Sequence, residues 1–149
     1  MALIGGGGAG NVAGGSNPSG TGKGLSYMGG GVHAGWSGTT LIGSVAAATV
    51  QFEFVNGSSH LIADYVFGIE GELIDSNSYY GFQISLDDQL VYEQTARAAT
   101  TTASSVIGQP FNFVIPAFSI VKIEGRTTDT GGNTPCYGML TCKEIGYNA

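Results

Sequence analysis

A chain of 149 residues with a formal net charge of −6, 42% hydrophobic residues and only 11% charged ones, is long enough for one folded domain. Its Lys and Arg are too few and too scattered to hold a phosphate backbone, so nucleic acid is excluded as a partner. No run reaches the roughly 18–20 apolar residues of a membrane helix and no basic, apolar leader opens the chain. The expectation is a protein with no membrane role, made and kept soluble, that hides surface in a homo-oligomer.

Residues 1–38 carry 15 of the 26 glycines and one charged side chain, Lys23. Runs such as Gly5-Gly6-Gly7-Gly8 have the most backbone entropy to lose on ordering and no side chain to bury in return. The segment is therefore expected to be an extended arm and not part of a core. Its apolar residues Leu3, Ile4, Val12, Leu25, Tyr27, Met28 and Trp36 are spaced like anchors for a neighbouring surface. Leu3, Ile4, Val12, Leu25, Tyr27 and Trp36 are the candidate partner-binding residues.

From residue 39 to 149 short apolar runs alternate with Gly, Asn, Asp, Ser and Thr, which is the punctuation of strands. Thr40 to Val45 reads as a short strand. In the next, Thr49 to Val55, Val50, Phe52 and Phe54 form a core face and Gln51 and Glu53 one that is wet or paired. Asn56-Gly57 predicts a tight turn, after which Leu61 to Ile74 returns as a long β-rich stretch. Tyr79 to Leu86 and Gln89 to Gln94 form the clearest hairpin, turned by Asp87-Asp88, with Leu90 and Tyr92 continuing the inward face. Ala96 to Gly108 is a crossover or a small-residue strand. Pro110 to Pro116 and Phe118 to Arg126 give two strands divided by a Pro-Ala kink, and Tyr137 to Ile145 closes the chain after a polar loop. No stretch keeps apolar positions at helical spacing, so the reading is all-β, with seven or eight strands in two antiparallel sheets packed face to face.

Candidate chemistry fails on its own terms. Asn17-Pro-Ser-Gly-Thr-Gly-Lys23-Gly24 lacks the first glycine and the final Ser or Thr of a phosphate-binding loop, and no strand precedes it. Asp87 and Asp88 sit at a hairpin tip; Glu70 and Glu72 share a strand face; Glu53 and Asp64 cannot be placed relative to them, so no pair is promoted to acid and base for glycoside hydrolysis. No Gly-x-Ser-x-Gly elbow is present. His33 and His60 stand apart from each other and from the cysteines, and no acidic ladder for calcium occurs, so neither metal nor cofactor is expected. Cys136 and Cys142, six residues apart on one extended strand, would lie roughly 20 Å from each other and are read as two free, buried thiols. Trp36 with Tyr79 and Tyr80 could build a sugar-stacking platform, weighed against core or interface roles.

The Gly-rich arm, the β-sandwich body and the string Asn112-Phe-Val-Ile-Pro-Ala-Phe-Ser-Ile-Val-Lys-Ile-Glu124 before a polar loop and final strand resemble small virion proteins of tailed bacteriophages, of the capsid decoration or cement type. The resemblance implies a jelly-roll-like body, a trimer on the outside of the virion, and a terminal segment laid along the major capsid protein. It implies no catalytic residues. The alternative function is a carbohydrate- or receptor-binding head of a phage fibre or tail component, and a third is a polysaccharide hydrolase.

Overall fold

The computed structural model describes residues 25–38, 40–42, 48–69, 79–97, 106–127 and 134–146. These residues form eleven strands and no helix: β1 (Ser26–Gly29), β2 (Val32–Trp36), β3 (Thr40–Ile42), β4 (Thr49–Val55), β5 (Leu61–Ile69), β6 (Tyr79–Leu86), β7 (Gln89–Arg97), β8 (Val106–Ile107), β9 (Phe111–Ile115), β10 (Ile120–Thr127) and β11 (Thr134–Glu144). All pairings are antiparallel. The larger sheet has the order β1-β2-β11-β5-β8, with β3 continuing β2's place along β11 and β9 continuing β8's along β5. The smaller sheet has the order β4-β10-β6-β7. Counting β2 with β3 and β8 with β9 and setting aside the edge strand β1, the pairs β2·β11, β4·β10, β5·β9 and β6·β7 nest inside one another across two sheets of four columns, the jelly-roll topology.

Alternation makes the core. On β5, Leu61, Ala63, Tyr65 and Phe67 point inward; on β11, Cys136, Leu140 and Cys142 do; β4 contributes Phe52 and Phe54, β6 Phe82 and Ile84, β10 Val121 and Ile123. Rings meet edge to face across the sandwich, Tyr65 against Phe82 at 4.7 Å and against Phe52 at 6.4 Å, while Tyr92 stacks on Phe111 at 3.7 Å along one side.

Several expectations are corrected. Within the stretch read as an arm, residues 26–36 form β1 and β2, and β2 pairs with β11 over five residues, so this part belongs to the larger sheet. Leu25 is fully buried in the chain's own core and is no anchor for a partner. Composition misleads there because sheet pairing overrides weak local propensity. The glycines that obscured the strands make the turn between them: Gly29, Gly30 and Gly31 all have positive φ, which suits glycine and strains other residues. Gln51 is buried rather than wet. A bulge opposite Ile123 and Glu124 makes it the extra residue on β4 and turns it inward, where it accepts a hydrogen bond from the Tyr65 hydroxyl. A second bulge, at Val91, sends Leu90 outward and keeps Tyr92 inward, so the two do not share a face as alternation implied. The β6–β7 hairpin itself is as read, with Asp87 and Asp88 both at positive φ as a primed turn requires. Cys136 and Cys142 are free and buried.

Two predictions concern this core. A Cβ on Gly81 would fall 1.9 Å from the Gln94 carbonyl oxygen of the paired strand, an atom that cannot step aside. Gly81→Ala is expected to destabilise by roughly 1–3 kcal/mol or more, read as a lower urea midpoint. Burial, with the Asp64 carboxylate adding to it, pushes the Cys142 thiol from 9.0 up to about 12, and burial likewise holds the Tyr65 phenol well above its usual range. The native state then keeps protons that the unfolded chain gives up, so this stability is complete below about pH 9 and is lost as pH rises towards 12. The slope is at most about 1.4 kcal/mol per pH unit per group. Urea unfolding at about pH 8 and about pH 10.5 checks it, and Cys142→Ala should flatten the decline.

Candidate functional site

The two sheets present very different outer faces. On the smaller sheet the outward positions carry Glu53, Gln83, Glu93, Lys122, Glu124 and Arg126 together with the exposed Tyr79, Leu90 and Val91, and most of the charged groups pair with one another. Lys122 Nζ lies 3.2 Å from Glu124 Oε1, Arg126 Nη1 lies 2.6 Å from Glu93 Oε1, and Gln83 Nε2 donates to Glu124 Oε2 at 2.5 Å. This is a solvated face with its charges paired at the surface, where such pairs add little to stability.

On the larger sheet the outward residues form three cross-strand rows. Trp36 on β2 lies opposite Met139 on β11, which lies opposite Val66 on β5. Next come Ala34, Thr141, Asp64 and Asn112, and then Val32, Lys143, Ile62 and Val114. Trp36 is 65% exposed, Met139 45% and Ile62 50%, so large apolar side chains stand open to water in neighbouring positions. Asp64 and Lys143 are the charged groups in these rows. Tyr137 extends the face by lying across Gly68, where a Cβ would fall 2.2 Å from its ring. The apolar side chains fall in two groups, Trp36–Met139–Val66 and Ile62–Val114, with the polar row of Thr141, Asp64 and Asn112 between them, and exposed apolar side chains of this size make the face a candidate interaction surface.

A second feature sits at one end of the sandwich, where the loops after β4 and β9 meet the β6–β7 turn. Phe118 has φ 63° and is 72% exposed. A bulky residue in the left-handed region is a genuine outlier. The loop over-determines it: Phe118 N donates to the Gly57 carbonyl at 2.8 Å, Asn56 Nδ2 to the carbonyls of Ser59 at 2.9 Å and Pro116 at 2.7 Å, and Ser119 Oγ to Pro116 O at 2.7 Å. Ala117 N donates to His60 Nδ1 at 3.2 Å, and Ile120 N to Asp87 Oδ1 at 2.8 Å. An aromatic ring is thus held in water by a rigid, strained support.

Of the residues proposed from sequence as anchors, Trp36 lies in the apolar outer face. Tyr27, on the edge strand β1, pairs with the inward-pointing His33 and so lies on the side of the sheet opposite to Trp36, its ring 5.0 Å from that of His33 and partly exposed. Leu25 is in the core, and Leu3, Ile4 and Val12 lie outside the described residues, as do Glu70, Glu72 and the Asn17–Gly24 string. The sugar-stacking trio is not assembled, because Tyr80 is buried and Tyr79 begins a strand of the sheet opposite to Trp36's. Glu53 and Asp64 lie on opposite outer faces of the sandwich. His33 is fully buried with Nε2 2.8 Å from Glu144 Oε1, a pair made inside the β2–β11 edge. Among the described residues no group of three His, Cys, Asp or Glu could hold a metal ion, and no helix is long and apolar enough to cross a membrane. Sequence reasoning missed Met139, Ile62 and Val66, which become one surface only through strand register, and Phe118, whose φ has no sequence signal.

Neither protein-family models nor curated proteins match the chain. Solved structures do, at the level of fold. The infectious bursal disease virus VP2 subviral particle matches with a TM-score of 0.53 and 18% identity over 78% of this chain and 33% of that one. The T13 particle of the same virus gives 0.52 with 16% identity over 78% and 31%, and the Gx strain 0.52 with 18% identity over 78% and 32%. The chain spans about a third of the length of these proteins, and the likeness is one of sandwich architecture.

The strain at Phe118 gives a direct measurement. Phe118→Gly removes a left-handed penalty of about 1–2 kcal/mol against a glycine entropy cost of about 0.5–1 kcal/mol, and little buried area is lost. The isolated protein should become more stable by on the order of 0.5–1 kcal/mol, seen as a raised urea midpoint. A drop in that midpoint would show that the ring stabilises its own fold.

Proposed function

We propose that this chain is a non-enzymatic structural protein of a virus particle, docking on a neighbouring protein of the shell through the outer face of its larger sheet. The observation that carries this is the contrast between the two outer faces. One holds several paired charges beside a few exposed apolar residues, whereas the other offers Trp36, Met139 and Val66 in one cross-strand row and Ile62 and Val114 in another, with Asp64 and Lys143 as its charged groups. Burying such a face removes water from apolar area at about 25 cal/mol per Å², which drives association. The fold likeness to particle structures of an icosahedral virus supports the same reading.

In its finer form the reading is a capsid decoration or cement protein of the tailed-phage type, a homo-oligomer, specifically a trimer, on the virion surface with the major capsid protein as partner. Residues 1–24 precede the edge strand β1, and Leu3, Ile4 and Val12 would extend the docking contact begun by Trp36. Ordering each of those residues costs on the order of 1–2 kcal/mol, so they would be fixed only by contacts shared with the shell. Binding to the assembled shell and not to its free subunits then raises the free energy of opening it by mass action.

The test is add-back of the purified protein to stripped particles of the virus that encodes it. Met139→Glu alters an exposed position, and deletion of residues 2–24 leaves β1 intact; each should weaken binding by about tenfold or more. Wild-type binding by both variants would falsify the proposal.

A further inference from the structure

The strands run between two ends of the sandwich, and the two ends differ in shape. At one, Phe118 projects from its strained loop, bonded to Gly57 just before β5 and flanked by Asp87 just after β6. At the other, the far ends of β5 and β6 line a small open cleft of about 80 Å³ walled by Phe67, Ile69, Tyr80 and Phe82, with Gln94 and Gln109 at its mouth. These four aromatic and aliphatic residues are buried, yet each keeps a little exposure, 7%, 6%, 3% and 4%, where Leu61, Tyr65 and Ile84 have none. The cleft is where water reaches the core.

Phe118 cannot fill the cleft of its own chain. The length of β5 separates them, about 25 Å at the rise of an extended strand. We infer that Phe118 of one copy inserts into the Phe67–Phe82 cleft of a second copy, making a head-to-tail contact between identical chains. The knob is an aromatic ring with nothing of its own chain over most of its surface. The cleft offers edges and faces of Phe67, Tyr80 and Phe82 at which a further ring packs in the tilted geometry that these residues already use among themselves, as Phe67 and Phe82 do at 5.8 Å and 40°. An aromatic side chain in a desolvated pocket is the usual form of an interface hot spot. A contact that joins one end to the other is heterologous, so it builds a ring where the rotation closes and a filament where it does not. It would also give a role to a phenylalanine that stands where glycine fits the backbone better.

This inference uses surfaces other than the outer sheet face and does not rest on the virion reading. Its test is sedimentation velocity of the full chain, made in a Met139→Glu background so that association through the sheet face is removed. The background protein should associate beyond a dimer as concentration rises. Phe118→Gly, which removes the knob and suits the loop, and Gln94→Trp, which fills the mouth of the cleft from an exposed position, should each raise the dissociation constant by about tenfold or more. Mixed together, the two variants should form a one-to-one dimer and stop there, since one intact knob then meets one intact cleft. Gln109→Trp replaces Gln94→Trp where the latter changes the circular dichroism of the fold. A monomeric background protein, single variants that associate as it does, or a mixture that stays monomeric would each overturn the inference; the second result would mean that a segment of the chain itself occupies the cleft.

Discussion

The hydroxyl of Tyr65 lies at the centre of the sandwich, on β5 of the larger sheet, and donates to the side-chain carbonyl of Gln51 on β4 of the smaller one. Gln51 can accept only because a bulge turns it inward, and its Nε2 then donates to Cys136 Sγ on β11 at 3.5 Å. Two residues along β11, Gly138 leaves the room that the Tyr65 ring needs, since a Cβ there would lie 2.8 Å from Tyr65 and 3.2 Å from Phe52. A buried phenol without a partner costs about 1–3 kcal/mol. One hydrogen bond thus specifies a bulge, a glycine and the alignment of three strands.

That alignment decides what the surface looks like. Because side chains alternate with a period of two, a slip of β11 by one residue would carry Lys143 and Thr141 into the core and Leu140 and Cys142 out of it. The core therefore fixes the register, and the register sets Met139 between Trp36 and Val66. The apolar outer face is not a failure of alternation to place polar residues outside. On the smaller sheet the same backbone rule yields Glu53, Lys122, Glu124 and Arg126 outside, with Leu90 turned out by the bulge at Val91, so its outer face carries more charge than that of the larger sheet. The difference lies in the residues placed outward, and it has a physical cost in water that only a covering partner removes.

Much of the sandwich was legible in the sequence wherever alternation ran undisturbed. The Asp87-Asp88 hairpin, the inward Phe52 and Phe54, and the closing strand are readable because a two-residue period needs no knowledge of partners. What escaped were the places where pairing decides. β1 and β2 look like a flexible arm because their glycines lower strand propensity, yet Leu25 and His33 are fully buried once β2 lies along β11. Gln51 and Leu90 were assigned to the wrong face because a bulge adds one residue and flips the parity beyond it. The apolar face was only partly visible, through Trp36, because Met139, Ile62, Val66 and Val114 come from three other strands and meet only in the folded sheet.

Phe118 shows why strain and surface have to be read together. Asp87 and Asp88 share its sign of φ, but short polar side chains tolerate that region through local hydrogen bonds, whereas a phenylalanine gains nothing of the kind. The loop holds the ring by bonds from Asn56, Ser119 and Gly57 rather than by packing, so the support would survive removal of the ring it presents. Its direction also matters. The apolar face is normal to the sheets, while Phe118 stands at the ends of the strands, so neighbours engaging one leave the other free.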